Sequence, residues 1–222
     1  MATRRTYADP CRFAHALDLV GERWALLVVR ELLLGPKRFT DLRAGLRHAS
    51  PNVLSERLRD LEQAGVVRRR KLPPPWGSQV YELTEWGMGL EPVVTHLGAW
   101  GARSPFPPTD KGLGTDSIVL ALRSLFDPEA AARAGATSIE LRFGEERFHV
   151  EVAGGELALG RGPAADPAAT IDTDPETLGD VLTGQRGLAE AQRAGDVRIE
   201  GSTQAFARFL RLFPMPTPAV AG

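Results

Sequence analysis

Between Ser50 and Leu83 the sequence leaves the chain few choices. Ser50 can accept from the free amides of a first helical turn, and Pro51 suits the position where no amide hydrogen is needed. Val53, Leu54, Leu58 and Leu61 then recur at helical spacing, and Gly65 is suited to the left-handed residue just past the helix. Residues 66–71 read as a strand and include the consecutive basic residues Arg68, Arg69, Arg70 and Lys71. Residues 72–78, with three prolines and a glycine, cannot continue either element and read as a turn. Residues 79–83 return as a second strand. A capped helix followed by a basic hairpin is the plan of a winged helix-turn-helix, in which the helix enters a major groove and the hairpin meets the backbone or minor groove.

The flanking sequence fits this plan. Phe13, Ala16, Leu17 and Val20 place a helix over 12–20, which Gly21 ends. Residues 22–34 are apolar on most sides and read as a central core helix stopped by Gly35-Pro36, and Phe39, Leu42 and Leu46 mark a short third helix. After the hairpin, Thr84 caps a helix on which Trp86, Leu90, Val93, Val94, Leu97 and Trp100 form one stripe. One such domain has little surface to cover two tryptophans, so a second subunit is the expected cover.

At about 100° per residue, the face of the Ser50 helix opposite its leucines carries Asn52, Ser55, Glu56, Arg59 and Gln63. Ser50, Asn52, Ser55, Glu56 and Arg59 are the expected DNA-binding residues of the helix, because amides, hydroxyls, a carboxylate and a guanidinium match base edges and phosphates. Arg69, Arg70 and Lys71 are the expected phosphate or minor-groove contacts of the wing. Arg57 falls toward the apolar side and is expected to pair within the protein or reach back to a phosphate. The competing reading is a solvated helix on a protein-interaction module.

The formal charge of −1 conceals a division: residues 1–103 carry a net +5 and residues 104–222 a net −6. Prolines at 105, 107 and 108 interrupt the join. The expected organisation is a DNA-binding domain over 1–103, a linker over 104–114, a second domain over 115–213 and a flexible tail over 214–222. No apolar run reaches the ~18 residues of a membrane span, and the basic start lacks the apolar stretch of a secretory signal. A cytoplasmic protein without membrane contact is expected. Cys11 is the single cysteine, so no internal disulfide can form. Arg12 and His15 beside it can favour the thiolate, which makes Cys11 the redox candidate, against the commoner reading of an inert thiol.

The second half reads as α+β. A helix over 117–126 precedes alternating strands at 137–143, 147–152, 156–159, 170–173 and 197–200. Asp174-Pro175 opens one helix, a second runs over 188–194, and Ser202 caps a last one bearing Phe206, Phe209, Leu210 and Phe213. With Leu178 and Leu182 these apolar residues form either ordinary core or the wall of a site for a hydrophobic small molecule. Catalysis is not expected. The four histidines have no metal-ligand spacing, and neither a phosphate-binding loop nor a nucleophile turn is present, so no cofactor or metal is expected.

Two resemblances extend these readings. Residues 11–24 (CRFAHALDLVGERW), 32–42 (LLLGPKRFTDL), 54–67 (LSERLRDLEQAGVV) and 81–87 (YELTEWG) resemble HxlR-type bacterial transcription regulators over about residues 7–103. That resemblance implies a homodimeric winged helix-turn-helix on inverted-repeat double-stranded DNA, with repression the commoner outcome, and in some members a redox-sensing cysteine at the place of Cys11. Residues 169–178 (ATIDTDPETL), 182–185 (LTGQ) and 194–202 (AGDVRIEGS) resemble the sterol carrier protein type 2-like fold over about residues 115–213. It implies a five-stranded sheet with helices packed on one face and an apolar tunnel. This sequence shows no amphipathic lid helix after Phe213, so the ligand class does not carry over. The second domain is expected to bind a hydrophobic effector or to reinforce the dimer.

Overall fold

In the computed structural model, residues 6–73, 77–107 and 112–220 are described. The contacts divide into two compact units, Met1–Val94 and Thr95–Gly222. The tip of the hairpin (74–76) and part of the proline-rich segment (108–111) lie outside the described residues.

The first unit runs α1 (Arg12–Val20), α2 (Ala25–Leu32), α3 (Phe39–Gly45), α4 (Pro51–Gln63), β1 (Val67–Lys71), β2 (Gln79–Leu83), α5 (Glu85–Met88) and the start of α6 (Glu91–Ala102). Its core is Val28, Val29 and Leu32 of α2, Leu42 of α3 and Leu54, Leu58 and Leu61 of α4, each almost fully buried. β1 and β2 pair antiparallel, Arg68 opposite Glu82 and Arg69 opposite Tyr81. Lys37 adds a bridge to Tyr81, donating its amide at 3.0 Å and accepting at 2.8 Å, which the apolar pattern gave no means to foresee.

Two helices differ from the sequence-based expectation. The helix expected over 22–34 is only α2, because Trp24 takes a left-handed conformation (φ +79°) in the turn out of α1. The helix expected from Thr84 through Trp100 is two. Thr84 Oγ1 donates to Gly65 O at 2.7 Å and accepts from Gly87 N at 3.0 Å. A Cβ on Gly87 would stand 2.1 Å from Val66 O, so α5 is pressed against the start of β1. The chain bends at Gly89-Leu90, and α6 restarts with Pro92 in its first turn, where proline's missing amide costs nothing.

The second unit holds α7 (Thr115–Leu125), α8 (Pro128–Ala134), β3 (Thr137–Phe143), β4 (Glu146–Ala153), β5 (Glu156–Arg161), β6 (Ala169–Asp172), α9 (Pro175–Thr183), α10 (Leu188–Ala194), β7 (Arg198–Gly201) and α11 (Thr203–Leu210). The five strands order β5-β4-β3-β6-β7; β3 and β6 are parallel and the other pairs antiparallel. Register puts Ile139, Leu141, Phe148, Val150, Val152, Leu159 and Ile171 on one buried face. The other face carries Glu140, Arg142, Arg147, His149 and Glu200. Glu140 is buried there, joined to Arg142 at 2.7 Å and to the amide of Ala164 at 2.9 Å. α8 was not expected. Asp127 caps it by accepting from the amides of Glu129 and Ala130. Phe213 lies just past the end of α11, not on it, yet it is buried.

Candidate nucleic-acid interface

Helix α4 is fixed from behind. Leu54, Leu58 and Leu61 are wholly buried, and Ser50 Oγ accepts from the amide of Val53 at 3.3 Å. Ser50 thus acts as the cap that sets where the helix begins. Asn52, Glu56, Arg59 and Gln63 are exposed, at i, i+4, i+7 and i+11, in one stripe along the helix. Ser55 is half-buried beside them, and its carbonyl accepts a long contact of 3.4 Å from Arg59 Nε. Arg57 bonds Asp60 at 2.8 Å within the protein.

The wing separates its basic residues by strand alternation. Arg69 and Lys71 share one face; Arg69 reaches Glu62 of α4 at 3.1 Å and stacks over Tyr81, 5.3 Å from the ring centroid. Arg70 shares the opposite face with Arg68, and both are held by Glu82, Arg68 Nε to Oε1 and Arg70 Nε to Oε2, each at 2.8 Å. Burial alone would raise the Glu82 carboxyl, but the bonds and charges of Arg70 and Arg68 outweigh it and hold it below the usual glutamate range. Arg68 is the residue the sequence reading passed over. Its signal was the alternation, together with an acid on the partner strand. Lys71 is exposed at the end of β1.

Apolar surface is also exposed among the described residues. No residue of α6, all of them described, is buried, and Val93, Leu97 and Trp100 lie on one stripe, Trp100 at 75% exposure. Trp86 is also exposed and lines an apolar groove of about 330 Å³ with Ala16, Leu19, Val20, Val66, Gly89 and Leu90. Cys11 is exposed at the head of α1, and the amides of Ala14 and Phe13 lower its pKa. The neighbours expected to do this, Arg12 and His15, are not among the causes.

An exposed polar stripe on a rigidly seated helix, next to a basic hairpin, is the geometry of a DNA reader. The HxlR-like helix-turn-helix family matches residues 19–106. An uncharacterized HTH-type transcriptional regulator of Bacillus subtilis (strain 168), YvaP, is 40% identical over 89 residues, covering 40% of this chain and 82% of the relative. The chain belongs to the HxlR-like helix-turn-helix family. A second relative, the HTH-type transcriptional regulator YodB of the same organism, is 39% identical over 85 residues, 38% of this chain and 76% of the relative. This HxlR-like chain is a DNA-binding transcription regulator.

Its second unit matches a different family, the alkyl sulfatase C-terminal family, over residues 117–221. A solved structure of a variant of the sec-alkyl sulfatase PisA1 is 18% identical, with a TM-score of 0.42 over 48% of this chain and 17% of that one. The sterol carrier resemblance drawn from the motifs is not confirmed by this family match. Leu178, Phe206, Phe209 and Phe213 are buried, and Leu182 and Leu210 half-buried. The rings pack on one another, Phe209 on Phe213 at 4.8 Å and Phe206 on Phe209 at 6.0 Å, with Phe126 against Phe213 at 5.9 Å. Among the described residues no three His, Cys, Asp or Glu side chains could hold a metal ion, and no helix is long and apolar enough to cross a membrane.

Proposed function

We propose that this HxlR-like chain acts in the cytoplasm as a homodimeric repressor on inverted-repeat DNA, without enzyme activity. Asn52, Ser55, Glu56 and Arg59 read base edges from α4, Ser50 sets the start of that helix at the backbone, and Arg69, Arg70 and Lys71 grip phosphates from the wing. The observation that carries this reading is the α4 stripe: Asn52, Glu56, Arg59 and Gln63 are exposed on a helix whose opposite leucines, Leu54, Leu58 and Leu61, are fully buried. The uncovered stripe of α6 supports a partner subunit, since apolar patches of this kind mark association surfaces. Twofold pairing sets two α4 helices about one DNA turn apart.

Comparing Arg59→Ala with Lys71→Ala tests the assignment. Lys71→Ala is expected to weaken binding to every duplex alike, and Arg59→Ala to relax sequence preference as well, each by about 1–3 kcal/mol at most. Equal behaviour of both variants and wild type would remove these roles and favour a protein-interaction module.

For the second unit we propose a sterol carrier-like arrangement in which any apolar effector meets Leu178, Leu182, Phe206, Phe209, Leu210 and Phe213. Because these rings fill the space between them, a ligand has to part them, and the unit serves as scaffold when none is bound. A long-chain fatty acid should then raise the melting temperature of wild type and not of Phe209→Ala; no shift in either leaves the scaffold role alone.

A further inference from the structure

We propose that Glu82 is a positioning residue that presents Arg68 and Arg70 as a fixed pair of phosphate grips on one face of the wing. The proposal deepens the DNA-binding reading and rests on it.

Arg68 and Arg70 stand two residues apart on β1, so both side chains leave the same face. Glu82 lies on β2 directly opposite Arg68 and diagonal to Arg70. Its side chain is 10% exposed, against 64% for Arg68 and 45% for Arg70. One carboxylate therefore sits beneath two guanidinium groups. Each guanidinium is tied through Nε, at 2.8 Å to its own carboxylate oxygen. Nε is the inner nitrogen of the group. The terminal nitrogens, which make forked bonds to phosphate oxygens, are not the ones bonded to Glu82.

The consequence is entropic. A free arginine on a hairpin samples many rotamers, and fixing one on binding costs side-chain entropy. Glu82 has already restricted both. The cost of this arrangement is one negative charge close to the DNA, buried where it bonds the arginines and not the phosphates. Arg69, by contrast, is turned toward α4, bonded to Glu62 and stacked on Tyr81. It braces the wing against the reading helix. Alternation thus divides the basic run into Arg69 and Lys71 on one face, with Arg69 also braced against α4, and the gripping pair Arg68 and Arg70 on the other.

The roles separate in a salt titration of the full chain on a labelled mixed-sequence DNA duplex, since phosphate grips act on any sequence. Each phosphate contact contributes about −0.9 to the slope of log affinity on log salt. Arg68→Ala/Arg70→Ala is expected to flatten the slope by about 1.8 per wing. Glu82→Gln keeps both arginines but cannot hold both through Nε, so its line is expected to run parallel to wild type and about tenfold lower. Arg68→Lys/Arg70→Lys keeps both charges and the carboxylate but loses the inner nitrogen; the same parallel drop is expected. This second variant decides the matter should Glu82→Gln fail to fold. A Glu82→Gln line above wild type and steeper overturns the proposal, since the carboxylate then merely neutralises the wing. So does a Lys pair that coincides with wild type, or an Ala pair with unchanged slope. Wild type that binds no duplex at low salt is a separate result, and overturns the DNA-binding reading together with this one.

Discussion

Cys11 stands exposed ahead of α1, with the amides of Ala14 and Phe13 lowering its pKa. Its thiolate fraction at neutral pH is therefore above that of an ordinary cysteine, and alkylation by iodoacetamide should show a rate inflection below the usual thiol range. An ordinary inflection contradicts this, and an oxidant response unchanged in Cys11→Ser excludes redox control through it. Acid acts on other residues. Glu82 and Glu140 are both buried, which raises a carboxyl, yet their arginine partners, and for Glu140 the Ala164 amide, pull both below the usual range. A lowered folded pKa means the unfolded chain takes up the proton first. Their contribution is present above the unfolded value of about 4.3 and is lost as pH falls through the lower folded values. The melting temperature should fall in that acid window, and Glu140→Gln should flatten the fall. A variant with the wild-type slope contradicts the assignment.

At the scale of elements, three helices open on the same two-residue signature. Ser50-Pro51, Asp127-Pro128 and Asp174-Pro175 each pair a side-chain acceptor with a proline in the first turn. The first and third were legible because long apolar periods follow them. The second heads only Pro128–Ala134, whose alanines give no apolar stripe to read. Strand alternation was legible in the sheet, where Ile139, Leu141 and Phe143 alternate with polar residues. It was not drawn out for the wing, where four basic residues mask the period. The bend between α5 and α6 was missed because the stripe from Trp86 to Trp100 continues across it; the break comes from the close approach of Gly87 to Val66 O, a tertiary contact. Gly87→Ala should accordingly cost about 1–3 kcal/mol in chemical denaturation. Ser50→Ala should cost about 1 kcal/mol through the lost cap. A neutral Gly87→Ala would mean that the junction yields freely.

At the scale of the whole molecule, the charge division of the sequence concentrates positive charge in the half that carries α4 and the wing, while the sheet domain carries the excess of acid. The apolar stripe of Val93, Leu97 and Trp100 remains uncovered in a single chain. Leu97→Glu is expected to shift sedimentation from dimer to monomer and to weaken operator binding, because two linked half-sites then act alone. A Leu97→Glu protein that still sediments as a dimer assigns the interface elsewhere. The fold of each half was largely readable from local periods and caps. The pocket question was not, since filling is a property of how Phe206, Phe209 and Phe213 meet in space.

Selection of duplexes from a random pool by the full-length chain at low ionic strength tests the central claim most directly. The expected result is a recovered motif of two inverted half-sites about 10 base pairs apart, centre to centre, whose definition fades in Arg59→Ala. Recovery of no duplex by an intact dimer would contradict it.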